Sequence, residues 1–215
     1  MIYIKGARII TPFEELEDCV LLIKDRRIAR IAPARSFRPP PDAKVLDYRG
    51  KIVCPGLIDV HIQGAAGCDF LDGTREALRR ISAALVKSGT TSYLATTVFK
   101  SGPNPHIENI VRAPEPDGAQ LLGIHLEGPF INHKKRGMIR PDGIVKCSPG
   151  NFDKVLKVVK GRLKMMTIAP ELSGAAGIIR KLKRLGIVAS FGHSDADYEA
   201  AAMGIRAGIT HATHI

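Results

Sequence analysis

The sequence predicts an α/β fold, an incomplete TIM (β/α)8 barrel preceded by a small β unit. Three observations carry this expectation. From about residue 52 onward, β-branched apolar runs alternate with helical stretches, as in successive parallel βα units. Three joints repeat a helix–glycine–strand pattern, "SGTTSYL", "LGIVASF" and "AGITHAT". Ionisable and polar residues also gather at the carboxyl ends of separate apolar runs: Asp59, His61 and Gln63; His125 and Glu127; His193 and Ser194; and His214. In a barrel those ends converge on one face, whereas an open doubly wound sheet spreads them along an edge.

The elements follow in order. Residues 1–54 read as short strands, "MIYIKGARII", "CVLLIKDRRIARIAP" and "KVLDYRGKIVCP", broken by turn residues and by Pro39-Pro40-Pro41. A hairpin is expected around Asp25-Arg26-Arg27. Residues 55–215 hold the barrel units. "KIVCPGLIDVHIQG" reads as a strand covered on both faces. "DGTREALRRISAALVKSG" places Leu78, Ile81 and Leu85 at helical spacing, with Asp72 as N-cap and Gly89 as the stop. "TTSYLATTV", a shorter helix and the strand "AQLLGIHLEG" come next, then a basic Gly/Pro-rich loop over 128–150. "NFDKVLKVVKG", "GAAGIIRKLKRLG" and "DADYEAAAMGIRAG" read as helices, and "LKMMTIAPE", "IVASFGHS" and "ITHATHI" as the strands between and after them.

Composition bounds the function. The chain has 215 residues, 45% of them hydrophobic and 25% charged, as a globular protein does. No stretch of about 18 apolar residues is present, so no transmembrane helix is expected. The N-terminus does not read as a signal peptide. Cys19, Cys54, Cys68 and Cys147 are scattered, with no C-x-x-C, and read as reduced thiols of a cytoplasmic protein. The net charge is +11, its charges spread along the chain with small clusters at "KDRRIAR", "HKKRGMIR" and "RKLKR". No nucleic-acid motif or aromatic platform accompanies it, so it reads as a solvated basic surface suited to an anionic substrate.

Glu127, His193 and His214 form the candidate metal set. One carboxylate and two imidazoles from three strand ends leave an open coordination position, where a divalent ion binds water and lowers its pKa. Such a set suits zinc first, and also iron, cobalt or manganese. His61 and Gln63 share a strand face at i and i+2. Gln63 is a poor ligand, so the pair offers a weakened second metal site or a hydrogen-bonding role. His211 points opposite to His214 in a regular strand, and is expected to be packed or to support the ligands.

Seven stretches, "PGLIDVHIQG", "GTTSYLATTV", "GIHLEGPFIN", "KRG", "TIAPEL", "ASFGHSDADYEAA" and "AGITHATH", together resemble the N-acetylglucosamine-6-phosphate deacetylases of the amidohydrolase superfamily. The resemblance implies that Glu127, His193 and His214 are the ligands of one divalent metal ion per subunit, and that His61 and Gln63 fall where some members carry H-x-H. It implies that the first strands form half of a small β-sandwich, and that the protein is a homodimer acting on an amino-sugar phosphate. In the family reaction metal-bound water attacks the acetyl amide, and an aspartate from strand eight carries the proton to the leaving amine.

Two departures accompany the resemblance. Ile139 stands where the family has a substrate-contacting histidine, which leaves room for a different N-acyl substrate. The sequence runs only to the sixth strand, so the catalytic aspartate is absent from this chain. The expectation is therefore a barrel truncated after strand six, completed by another chain or surviving as an inactive, self-associating remnant that still binds metal.

Overall fold

The computed structural model describes residues 1–214. The chain divides into two compact units, Met1–Gly56 and Leu57–Ile215. The first holds seven strands: β1 (Ile2–Lys5), β2 (Arg8–Ile10), β3 (Glu15–Leu16), β4 (Cys19–Lys24), β5 (Arg27–Pro33), β6 (Lys44–Asp47) and β7 (Ile52–Val53). They form a four-stranded sheet in the order β5-β4-β1-β6 and a three-stranded sheet in the order β3-β2-β7. Ile4 and Leu21 of the larger sheet cluster with Ile9 of the smaller one, while Tyr3, Val20 and Leu22 are buried on the other face. The period of two along "VLL" thus buries successive residues on opposite faces. The β4–β5 hairpin turns on Asp25 (φ 50°) and Arg26 (φ 62°), the two left-handed residues that a two-residue type I′ loop requires. Arg27 already belongs to β5, paired with Lys24.

The second unit contains β8 (Leu57–Ile62), the short pair β9 (Gly64–Ala65) and β10 (Cys68–Asp69), then β11 (Thr90–Thr97), β12 (Gln120–Glu127), β13 (Leu163–Ile168), β14 (Val188–Phe191) and β15 (Ile209–Ala212). Helices α1 (Arg75–Leu85), α2 (Pro105–Arg112), α3 (Pro149–Val159), α4 (Ala175–Arg184) and α5 (Tyr198–Ala207) connect successive strands. The six long strands form one parallel sheet in sequential order, β15-β14-β13-β12-β11-β8. Sequential parallel order with one crossover helix between neighbours is the topology of a half-barrel. Its core is continuous: Leu78, Ile81 and Leu85 of α1 and Phe152, Val155 and Val159 of α3 pack with Tyr93, Ile124, Leu126 and Met166 of the strands. No helix among the described residues is long and apolar enough to cross a membrane.

Three expectations need correction. The run over 52–63 is two strands, not one, because Pro55 and Gly56 interrupt it: β7 pairs with β2, and β8 pairs with β11. Nor is β8 covered on both faces. It lies at one end of the sheet order, and Leu57 and Ile58 are exposed by 62% and 60%. The N-cap of α1 is Thr74, whose hydroxyl accepts from the Ala77 amide, and not Asp72. Asp72 is spent one turn earlier, accepting from the Asp69 amide while Asp69 caps the turn Phe70–Asp72. A second aspartate three residues ahead captured it for a capping box.

Candidate metal centre

Along β12, residues 125 and 127 share one face, and both side chains are buried. Glu127 is the last residue of β12, and a carboxylate so deeply enclosed requires partners. It has four. Its Oε1 lies 2.8 Å from His193 Nε2 and 2.6 Å from His214 Nε2. Its Oε2 accepts from the Gln63 amide at 2.6 Å, and His61 Nε2 stands 3.9 Å from it. The donor atoms of His61, Glu127 and His214 all lie within 4.8 Å of one another. His193 joins this group through the shared Oε1.

Both histidines on Oε1 sit two residues beyond a strand end, His193 after Phe191 and His214 after Ala212. Both adopt left-handed backbone, φ 50° and 58°, a conformation that costs a non-glycine residue about 1–3 kcal/mol and persists only where the surroundings impose it. It is the change of hand after the last paired residue that turns each imidazole toward Glu127. Gly192 makes the first of these turns fit: a Cβ there would stand 2.8 Å from Thr167 Cγ2 and 2.9 Å from Thr213 Cβ.

The proton bookkeeping at His193 favours a cation. Its Nδ1 is 2.8 Å from the Lys135 carbonyl, which can only accept, so Nδ1 carries the hydrogen. In the neutral ring Nε2 is then a lone pair aimed at a carboxylate oxygen, and two acceptors at 2.8 Å repel. Either a proton or a metal ion must lie between them. Without metal, the hydrogen bond to Glu127 raises the His193 pKa, outweighing burial. Burial pushes the Glu127 pKa up, but the hydrogen bonds from His193 and His214 hold it down to about 2. Burial keeps His61 on the neutral side, its pKa lowered against the pull of Glu127, and its Nδ1 is buried without a hydrogen-bond partner. Neutral imidazole nitrogens and an ionised carboxylate are the forms that ligate zinc or a similar divalent ion, and this donor set fits one.

These strand ends place the chain among known proteins. The model of the amidohydrolase family matches residues 52–215. The chain belongs to the amidohydrolase family. Over 99% of its length it is 34% identical to the N-acetylglucosamine-6-phosphate deacetylase of Bacillus subtilis, covering 55% of that protein, and over 100% it is 32% identical to the Homo sapiens protein of the same name, covering 50%. The crystal structure of N-acetyl-D-glucosamine-6-phosphate deacetylase from Mycobacterium smegmatis superposes on it with a TM-score of 0.85 at 30% identity, covering 100% of this chain and 60% of that one. The chain spans about half the length of the curated relatives it matches.

Within this amidohydrolase the other candidate residues fall as follows. Gln63 turns its amide to Glu127 Oε2, and His61 faces the same cluster as His214, so both lie at the Glu127 centre. His211 is exposed rather than packed, although Ile209, two residues earlier on β15, is buried in the core. Ile139 is buried in the turn after "KRG", where Arg136 holds its carbonyl at 2.6 Å. With Gln63, Leu71, Val98 and Met138 it lines a cleft of about 300 Å³, which Lys100 and Arg140 also border.

Sequence reasoning missed a row of hydroxyls beneath the centre. His125 Nδ1 is 2.9 Å from the Val60 carbonyl and must donate to it. Burial pushes the His125 pKa down to about 4, so its Nε2 is a bare acceptor and takes the Thr167 hydroxyl at 2.9 Å. Thr167 has no further hydrogen, so Thr213 donates to it at 3.0 Å, and Ser190 donates to Thr213 at 2.7 Å. The sequence carried a faint sign of this: Thr167 and Ser190 are hydroxyls in otherwise apolar strands, and in the sheet register Glu127 pairs with Thr167 and Thr167 with Ser190.

Proposed function

We propose that this chain is the amino-terminal part of a metal-dependent N-acetylglucosamine-6-phosphate deacetylase, with residues 1–54 forming half of a small β-sandwich and residues 55–215 the first six strands of a (β/α)8 barrel. One observation carries the reading: a buried carboxylate at one strand end receives imidazoles from two other strand ends, in a chain similar to deacetylases throughout its length. A related structure from Mycobacterium smegmatis, 29% identical, is a mutant in complex with N-acetyl-D-glucosamine-6-phosphate.

Glu127, His193 and His214 would hold one divalent ion per subunit, zinc first among zinc, iron, cobalt and manganese, with His61 beside them. When bound, that ion polarises the amide carbonyl and acidifies water. The chain's own residues set the stage. Gln63 orients Oε2 of Glu127 and Lys135 fixes the tautomer of His193, while Lys100 and Arg140 border the cleft as donors for a sugar phosphate, beside Asp69 and Asp142. The proton to the leaving amine comes, by the resemblance, from an aspartate on strand eight, which is not among the described residues. A homodimer in the cytoplasm, with neither nucleic acid nor membrane as partner, completes the reading; the four free cysteines support the compartment.

Acetate release from N-acetylglucosamine 6-phosphate, measured with zinc added and metal content determined, tests it. Turnover that Glu127→Gln abolishes supports the reading, and a purified chain that neither binds zinc nor turns over defeats it. Zinc retained at one ion per chain without turnover supports the remnant or part-chain form, in which the ligands are present and the acid is elsewhere. A second reading, a larger or different N-acyl group, is favoured by Ile139 and its apolar neighbours in the cleft. Comparison of N-acetyl with longer N-acyl sugar phosphates decides between them.

A further inference from the structure

We propose that Glu171 is the positioning residue for the candidate ligand His193, acting as a brace between the basic loop over 128–150 and the turn that carries His193. Glu171 follows β13 and touches none of the candidate ligands. Its carboxylate nevertheless collects both chain segments that hold His193 in place. Oε1 accepts from the Asn132 side-chain amide at 2.9 Å and from the Asp195 backbone amide at 2.8 Å, and Oε2 accepts from the Ser194 hydroxyl at 2.6 Å. The same two segments meet again at His193 itself. The Asn132 amide donates to the His193 carbonyl at 2.8 Å, and His193 Nδ1 donates to the Lys135 carbonyl at 2.8 Å. Asn132 also caps its own turn, its Oδ1 accepting from the Lys134 amide at 2.9 Å, and the Ser194 hydroxyl accepts from the Ala196 amide at 3.0 Å.

The brace has a clear physical task. His193 is in left-handed backbone, which needs surroundings that over-determine it. Surface ion pairs do little of this, since Lys134 and Lys135 are exposed and paired to Asp195 only at 3.9 and 3.3 Å. Glu171 converts the two loops into one unit with three charge-assisted hydrogen bonds. Nε2 of His193 is then aimed at the centre before any ion arrives. Partners that orient a metal-bound histidine in this way are worth about 10–100-fold in metal affinity.

The zinc readout of this inference rests on the metal-centre reading, so the test carries a metal-free readout too. Glu171→Ala removes all three hydrogen bonds. Asn132→Asp keeps the cap on Lys134 but sets a second carboxylate against Glu171. Glu171→Gln keeps the network, because its amide oxygen takes Asn132 and Asp195 while its NH2 donates to Ser194. In the metal-free chain, amide exchange over 132–136 and 193–196 is expected to quicken in the first two variants and stay near parental in the third. Zinc affinity, by chelator competition, is expected to fall 10–100-fold in the first two, with a changed cobalt(II) absorption spectrum, and to stay within about threefold in the third. Parental exchange rates, zinc affinity and cobalt spectrum in both disruptive variants would overturn the brace. If Glu171→Ala does not fold, Asn132→Asp decides alone. If the parent binds no zinc, the metal reading fails and the exchange rates still decide the brace.

Discussion

His193 and His214 reach the same oxygen of Glu127 by the same backbone device, yet they are held differently. The His193 side chain is 10% exposed, its second nitrogen is tied to the Lys135 carbonyl, and its flanking residues meet Glu171. The His214 side chain is 53% exposed and makes no second ring hydrogen bond among the described residues. One imidazole has its second nitrogen fixed as well as its first; the other is held by Glu127, by edge-on contacts with His61 and His193, and through its neighbour Thr213. Two donors that look equivalent as strand-end histidines thus differ in how much of the fold depends on each of them.

The largest break in this comparison is to remove what both share. Glu127→Gln is expected to weaken zinc binding by more than about 100-fold, a loss at least as large as that from supporting groups, read by chelator competition. Next come the histidines themselves. His193→Ala and His214→Ala should both lose metal and some metal-free stability, since each gives up a hydrogen bond to the buried Glu127, but His193→Ala should cost about 1 kcal/mol more for its second bond, to Lys135; urea titration with EDTA present measures the difference, and equal values would erase the distinction. Gly192→Ala forces a Cβ against Thr167 and Thr213 and is expected to cost about 1–3 kcal/mol, with both histidines displaced and the cobalt spectrum altered. Thr167→Val leaves the His125 ring nitrogen and the Thr213 hydroxyl unmatched, for about 1–3 kcal/mol in the same titration. The smallest effect belongs to Gln63→Ala, which loosens one oxygen of Glu127 and should weaken zinc binding only several-fold, within the range for supporting partners.

Much of this could be read from residues alone. Glycine joints and apolar runs locate the six parallel strands, because each crossover needs a helix stop and a β-branched start. Glu127, His193 and His214 stand out because ionisable groups at the ends of buried strands demand partners. What escaped was whatever depends on backbone hand or register. Nothing in "FGHS" or "ATHI" announces the left-handed turns, and the period-two rule, applied past the last paired residue, made His211 look like a packed neighbour when it is exposed. Asp72 was a sound cap by type but was already engaged by Asp69. Glu171 sits in "APEL" as a plain loop acid, and its three partners come from 23 to 39 residues away.

The chain of side chains from Ser190 to Val60 has a direction. A carbonyl at one end can only accept, and with the His125 ring neutral that fixes the sense of every link behind it. A proton entering at Ser190 would follow the donors only as far as His125, whose buried ring resists the charge, its pKa pushed down to about 4, and the Val60 carbonyl passes nothing on. The row beneath the centre is therefore a strut and not a wire: it ties β8, β12, β13, β14 and the turn after β15 into one stiff floor, and any proton traffic belongs to the solvent side above it.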